Sequence, residues 1–122
     1  MQDFRNLRVW RRAHSLSLRV DSIVDRFPRR AANLRGQLSR AADSIATNIS
    51  EGCAAASQRE FARFLDMAIK SSSETDYHLL KAHDRGLIPR DRYQKEADEI
   101  SQIRRMLHAL RKKVLADLDE GG

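Results

Sequence analysis

The sequence predicts an all-α protein, an antiparallel up-down-up-down four-helix bundle forming a single domain over residues 1–122. Three observations predict it. Only 5 Gly and 2 Pro interrupt a chain that is 33% charged, a composition suited to long helices rather than a sheet sandwich. Apolar residues recur at three- and four-residue spacing through four separate segments. The connections between those segments are short, which makes successive helices antiparallel neighbours.

Helix 1 is read over 7–27. Trp10, Ala13, Ser17, Val20, Val24 and Phe27 follow one stripe, widened by Val9, Leu16 and Ile23. Trp10 lies on the core seam, and its indole N–H calls for a polar partner. Pro28 ends the helix and an Arg- and Ala-rich link follows. Helix 2 is read over 33–52, with Gly52 as its C-terminal cap. Leu38, Ala41, Ala42, Ile45 and Ile49 form its core face. Gln37, Arg40, Ser44, Asn48 and Glu51 make a polar stripe along the edge of that face, where half-buried groups must be paired. Asn48 there is suited to fixing register, and Glu51 to pairing with Arg40 or with a neighbouring subunit.

Helix 3 is read over 58–83. Ser57-Gln-Arg-Glu60 fits a capping box, and Phe61, Phe64, Leu65, Ala68, Ser72, Thr75 and Leu79 form the stripe. Small residues in its second half admit a close neighbour. Asp84-Arg-Gly86 breaks it, and Ile88-Pro89 leads into helix 4, read over 90–118. Tyr93, Ala97, Ile100, Ile103, Leu107, Leu110 and Val114 repeat in a near-heptad pattern. At ~1.5 Å per residue this helix outruns partners of about 20 residues. Its last apolar positions, Leu110, Val114 and Leu118, therefore call for cover from another subunit, which predicts a homo-oligomer. Residues 119–122 are expected to fray.

No apolar run approaches the ~20 residues of a membrane span, and the N-terminus lacks the apolar core of a secretory signal. Cys53 is the single cysteine, which fits a reducing compartment; the expected location is the cytoplasm. No Glu-x-x-His pair of the kind that holds metals in bundles occurs, so neither metal nor cofactor is expected. Cys53 follows a helix C-terminus, the wrong end to stabilise a thiolate. Ribonuclease bundles of the HEPN type place Arg and His a few residues apart on one helix. Arg8 with His14 and Arg104 with His108 are the pairs to weigh, and a chain rich in Arg supplies such pairs incidentally. No acid, base and nucleophile assemble, and the expectation is a protein that is not an enzyme.

Charge is the stronger signal. Residues 1–40 hold ten Arg against Asp3, Asp21 and Asp25, a net of +7, whereas the remainder nets −1 from 13 basic and 14 acidic residues. Arg5, Arg8, Arg12, Arg19 and Arg26 cluster on one edge of helix 1, a row suited to successive phosphates. The competing reading pairs them with Glu96, Asp98 and Glu99 of helix 4. Aromatics are only 6% of the chain, so binding would follow backbone charge or shape rather than base stacking.

Three blocks carry a family pattern. They are Phe4-x-x-Leu7-x-Val9-Trp10-x-x-Ala13 with Phe27-Pro28; Gln37-Leu-x-Arg40-Ala41-Ala-x-Ser44-Ile45-x-x-Asn48-Ile49-x-Glu51-Gly52; and Glu60-Phe61-x-x-Phe64-Leu65-x-x-Ala68 with Ser71-x-x-Glu74. Over Phe4 to Val114 the chain resembles the four-helix-bundle proteins encoded in intervening sequences of bacterial 23S ribosomal RNA genes. That family is related to the accessory variability determinant of diversity-generating retroelements. The chain departs from the pattern at Ser50, usually Ala; Ala46, often Pro; Lys70, commonly Gly; and Ala31 and Asn33, often Glu and Gly. The resemblance implies a homopentameric barrel with a central opening. For the retroelement relatives it further implies binding of a reverse transcriptase and of nucleic acid.

The sequence therefore points to a non-enzymatic pentameric bundle that binds RNA, DNA or a nucleoprotein such as a reverse transcriptase. Arg5, Arg8, Arg12, Arg19 and Arg26 make the contacts, while Gln37, Arg40, Ser44, Asn48, Glu51, Ser71 and Glu74 hold helices and subunits together. The alternative is an assembly or adaptor protein whose basic face docks an acidic protein partner.

Overall fold

A computed structural model describes residues 2–120, with side chains through Leu118. Among them there are four α-helices and no strands. They are α1 (Arg8–Val24), α2 (Ala32–Cys53), α3 (Gln58–Asp84) and α4 (Arg90–Glu120), with single 3-10 turns at Phe4–Asn6 and Arg29–Ala31. α4 runs two residues beyond the expected end, and Gly121 and Gly122 of the expected frayed tail lie outside the described residues.

The side-chain bonds between helices run in opposite chain directions, which fixes the antiparallel order. Arg12 reaches Glu99 and Arg19 reaches Glu96. Ser71 reaches Ser44, and Phe61 lies beside Gly52. Arg111 reaches Asp66, Arg104 reaches Ser72 and Tyr93 reaches Asp76. α2 packs closely on α3, and α3 on α4, whereas the backbones of α1 and α4 approach less closely.

The predicted stripes form the core. Leu16, Val20, Leu38, Ile45, Ile49, Leu65, Leu79, Ile100, Ile103 and Leu107 are fully buried, each stabilising the fold by about 1.5–3 kcal/mol relative to exposure. Trp10 and Phe64 are only partly buried. Trp10 stacks on His14 at 4.9 Å and leans on Phe4 at 4.7 Å, so its ring closes the edge of the core instead of sitting inside it. Buried hydroxyls bond to their own helices: Thr75 Oγ1 donates to Ser71 O at 2.7 Å and Ser17 Oγ to His14 O at 2.7 Å.

Three expectations need correction. α1 ends at Val24 rather than 27, because Pro28 excludes a helical residue before it. The chain tightens through i→i+3 bonds from Arg26 N to Ile23 O and from Phe27 N to Val24 O, so Arg26 lies just past the helix. Gly52 is not a cap: α2 continues through it to Cys53, and Ala54 at the C-cap is right-handed. Gly52 is required by proximity instead, since a Cβ there would stand 2.8 Å from Phe61 Cδ1 and 3.2 Å from Phe64 Cβ. At the end of α4, Leu110 and Leu118 stay half-buried and only Val114 is covered within the chain. Val114 is 3% exposed, in a crevice shared with Leu7, Phe61 and Leu110. The capping box forms by half, with Glu60 N donating to Ser57 Oγ at 3.1 Å while the Glu60 carboxylate accepts from Arg63.

Gly86 is the one described residue with positive φ among the glycines, at 77°, and it turns the chain from α3 toward α4. Gly36, inside α2, would place a Cβ 3.0 Å from Arg40 Nη1, the movable tip of a long side chain. Urea unfolding should therefore separate two helical glycines. Gly52→Ala should lose about 1–3 kcal/mol through overpacking. Gly36→Ala should gain up to about 1 kcal/mol from helix propensity. Equal effects at both sites would contradict the close approach.

Candidate nucleic-acid interface

The row of arginines expected on helix 1 divides by position. Its middle pair is spent on α4. Arg12 forms a two-point clasp on Glu99, with Nε donating to Oε2 at 2.9 Å and Nη2 to Oε1. Its Nη1 also contacts Met106 Sδ at 3.5 Å. One turn further along the seam, Arg19 Nε donates to both oxygens of Glu96, at 3.1 and 3.0 Å, and Arg92 Nε adds a bond to Oε2 at 3.2 Å. The Glu96 side chain is 0% exposed, while those of Arg19 and Arg92 are 32% and 36% exposed. The pairing with Glu96 and Glu99 that the sequence left open is thus realised for Arg12 and Arg19.

The ends of the row differ. Arg5 is exposed and bonds Asp3. Arg8 and Arg26 are exposed, with no ion pair among the described residues. Of the ten arginines in residues 1–40, Arg5, Arg12, Arg19 and Arg35 hold carboxylates. Arg8, Arg11, Arg26, Arg29, Arg30 and Arg40 remain, all exposed.

The polar stripe of α2 also divides. Asn48, 7% exposed, donates from Nδ2 to Ser44 O at 2.8 Å and Ser44 Oγ at 2.9 Å. Ser71 Oγ donates to the same Ser44 Oγ at 2.9 Å and so ties α3 to α2. Gln37, Arg40 and Ser44 line a groove of about 400 Å³ with Ala41, Glu74 and His78. Burial lowers the His78 pKa, chiefly by desolvation with Lys81 adding to it and Glu74 opposing, and its Nδ1 is buried without a hydrogen-bond partner. Glu51 is exposed and stands apart from Arg40; eleven residues of helix separate them by about 16 Å, too far for an ion pair. Cys53 is 3% exposed and its thiol pKa is raised by burial, the state of an inert packing residue. Among the described residues no group of His, Cys, Asp and Glu is arranged to hold a metal, and no helix is long and apolar enough to cross a membrane.

Sequence reasoning did not single out Glu96 as a core residue, although it lies four residues before Ile100 and seven before Ile103, near the start of the α4 stripe. A carboxylate on an apolar stripe was the available signal. Arg92, one turn earlier at i−4, completes its clasp.

Four antiparallel helices with a basic first helix clasped to the last define an all-α bundle with an arginine-rich edge. A family model described as 23S rRNA-intervening sequence protein matches residues 5–109. The chain belongs to that family. No curated protein matches it. Among solved structures, the crystal structure of a protein with unknown function from the S23 ribosomal protein family of Bacteroides thetaiotaomicron VPI-5482 superposes with a TM-score of 0.80 at 24% identity. The match covers 85% of this chain and 95% of that one, and shows a shared fold.

The clasps make two predictions. The Arg12 hydrogen bond, with further help from Arg19 and Arg8, holds the Glu99 pKa below the ordinary carboxylate value despite partial burial. Its stabilising share is therefore complete above that value and disappears as pH falls through the lowered one. Glu99→Gln should flatten this acid limb in urea midpoints measured across pH, and an unchanged limb would refute the assignment. At Glu96 the effect is asymmetric. Replacing both Arg19 and Arg92 by Met strands a buried carboxylate and should cost about 3–5 kcal/mol. Glu96→Met leaves two arginines free to turn to water and should cost no more than about 1 kcal/mol. Equal losses would show that Glu96 is not the buried member.

Proposed function

We propose that the protein is a non-enzymatic, homopentameric bundle that binds nucleic acid or a nucleoprotein through its arginine-rich surface. The observation that carries this reading is the group of exposed arginines left without carboxylate partners among the described residues: Arg8, Arg11, Arg26, Arg29, Arg30 and Arg40. Repulsion within such a group is relieved by phosphates, whose counterions are released on binding. Arg12 and Arg19 serve structure first, so Arg8, Arg26, Arg29 and Arg30 carry more of the contact than the original row suggests.

The description of the family as 23S rRNA-intervening sequence proteins, and the S23 ribosomal protein family of the structural relative, favour RNA as the first probe. The resemblance to the accessory variability determinant adds a reverse transcriptase as a candidate nucleoprotein partner. Self-association rests on the family resemblance, and Leu18, Met67, Tyr77 and Leu80 are exposed apolar side chains available to an interface.

Electrophoretic mobility shifts across a salt series test the interface. Binding should weaken steeply with salt. Combined Arg8→Gln, Arg26→Gln, Arg29→Gln and Arg30→Gln changes should reduce the logarithmic salt slope by roughly 0.7 per lost phosphate contact on a single strand. Absence of binding at moderate salt, or salt-independent binding, would sink the reading and favour a protein partner. Static light scattering at micromolar concentration should give a mass near five chains; a monomer mass would refute the assembly.

A further inference from the structure

At the end of the bundle where α1 finishes and α4 begins, a cavity of about 480 Å³ opens between the two helices and the turn linking α3 to α4. This volume falls within the ~300–1,000 Å³ typical of small-molecule sites. Three cationic side chains line it: Arg26 from the turn after α1, and Arg92 and Lys95 from the first turns of α4. Arg26 and Lys95 form no ion pair among the described residues, and Arg92 gives only its Nε to Glu96. Ser22 adds a hydroxyl. Apolar lining comes from Ile23 at the end of α1 and from Leu87, Ile88 and Pro89 of the turn.

The one carboxylate at the rim, Asp91, accepts a bond from Arg92 N at 2.9 Å. It repels an anion on its own side and offers an acceptor to a hydroxyl or amino group. Cations and apolar side chains lining one cavity, with a lone acceptor at the rim, suit a phosphate carried on a ring-bearing body that has hydrogen-bond donors. A bare anion would leave the apolar lining unused, and a neutral ring would leave the cations unmet.

We propose that this cavity binds a phosphate ester of nucleotide type, either a free nucleoside monophosphate or the terminal phosphate of a strand. The site shares Arg26 with the proposed interface but goes beyond it, because a free nucleotide fills it without any contact along a strand.

Isothermal titration of the full chain tests it, with adenosine 5′-monophosphate, adenosine and inorganic phosphate as probes. A short RNA with and without a 5′-phosphate completes the set. The monophosphate should bind and adenosine should not, with inorganic phosphate weaker than the monophosphate. Arg26→Gln with Lys95→Gln, and separately Ser22→Glu, should each weaken the monophosphate about tenfold, the effect of one charge-assisted hydrogen bond. Arg63→Gln on α3 should leave it unchanged, and helical circular dichroism should be retained throughout. Tighter binding of phosphorylated RNA than of the monophosphate would assign the ligand to a strand end; equal binding would assign it to the free nucleotide. Equal binding of adenosine and its monophosphate, unaltered binding by both variants, or no binding of any phosphorylated probe would overturn the site. Loss of salt-dependent RNA shifts with monophosphate binding intact would overturn the interface alone.

Discussion

The Glu96 carboxylate, buried between α1 and α4 and held by Arg19 and Arg92, is the constraint on which the rest of the structure turns. Removing a carboxylate from water costs several kcal/mol unless its oxygens are well bonded. Here both oxygens face Arg19 Nε and one also meets Arg92. The backbones of α1 and α4 approach each other less closely than those of the other adjacent helices, which leaves room for long charged side chains in this seam. Ion pairs at Glu96 and Glu99 complete it. Because the charged groups fit in one register only, they also fix how far α1 slides along α4.

That closure decides which charges the molecule can offer. A row of arginines spaced for phosphates along α1 is interrupted at its centre, where Arg12 and Arg19 turn inward. The unneutralised positive charge lies at the ends of α1, on the link to α2 and at Arg40 within α2. At one end Arg26 meets Arg92 and Lys95 around a cavity, so the seam that consumes two arginines also leads to a cationic recess. Stability and candidate binding surface are therefore made from the same side chains, and a change at Arg92 would touch both.

Much of the fold was legible because apolar periodicity survives in helices of this length. The stripes Leu38–Ile49, Phe61–Leu79 and Tyr93–Val114 became the core with small boundary shifts. Local signals were less faithful where packing overrode them. Gly52 reads as a cap, yet its lack of a side chain serves the approach of Phe61. Glu96 reads as a pairing acid for the helix 1 arginines, yet its phase on the helix, that of Ile100 and Ile103, also buries it. Trp10 has core spacing, but the short 3-10 turn at Phe4–Asn6 leaves it at the edge. The polar stripe was half legible. Asn48 and Ser71 join α2 to α3 through Ser44, whereas Gln37, Arg40 and Glu74 border an open groove whose occupant no spacing rule specifies.

Native-state hydrogen exchange resolved by helix tests the central claim most directly. With the Glu96 clasp intact, amides of Val20 to Val24 should exchange only through global unfolding, like those in the centres of α2 and α3. With Arg19 and Arg92 both replaced, α1 should open first, its amides exchanging well before those of α2 and α3. Protection that falls uniformly in all helices, or α1 protection that is unaffected, would contradict the requirement that Glu96 be paired for α1 to stay seated on the bundle.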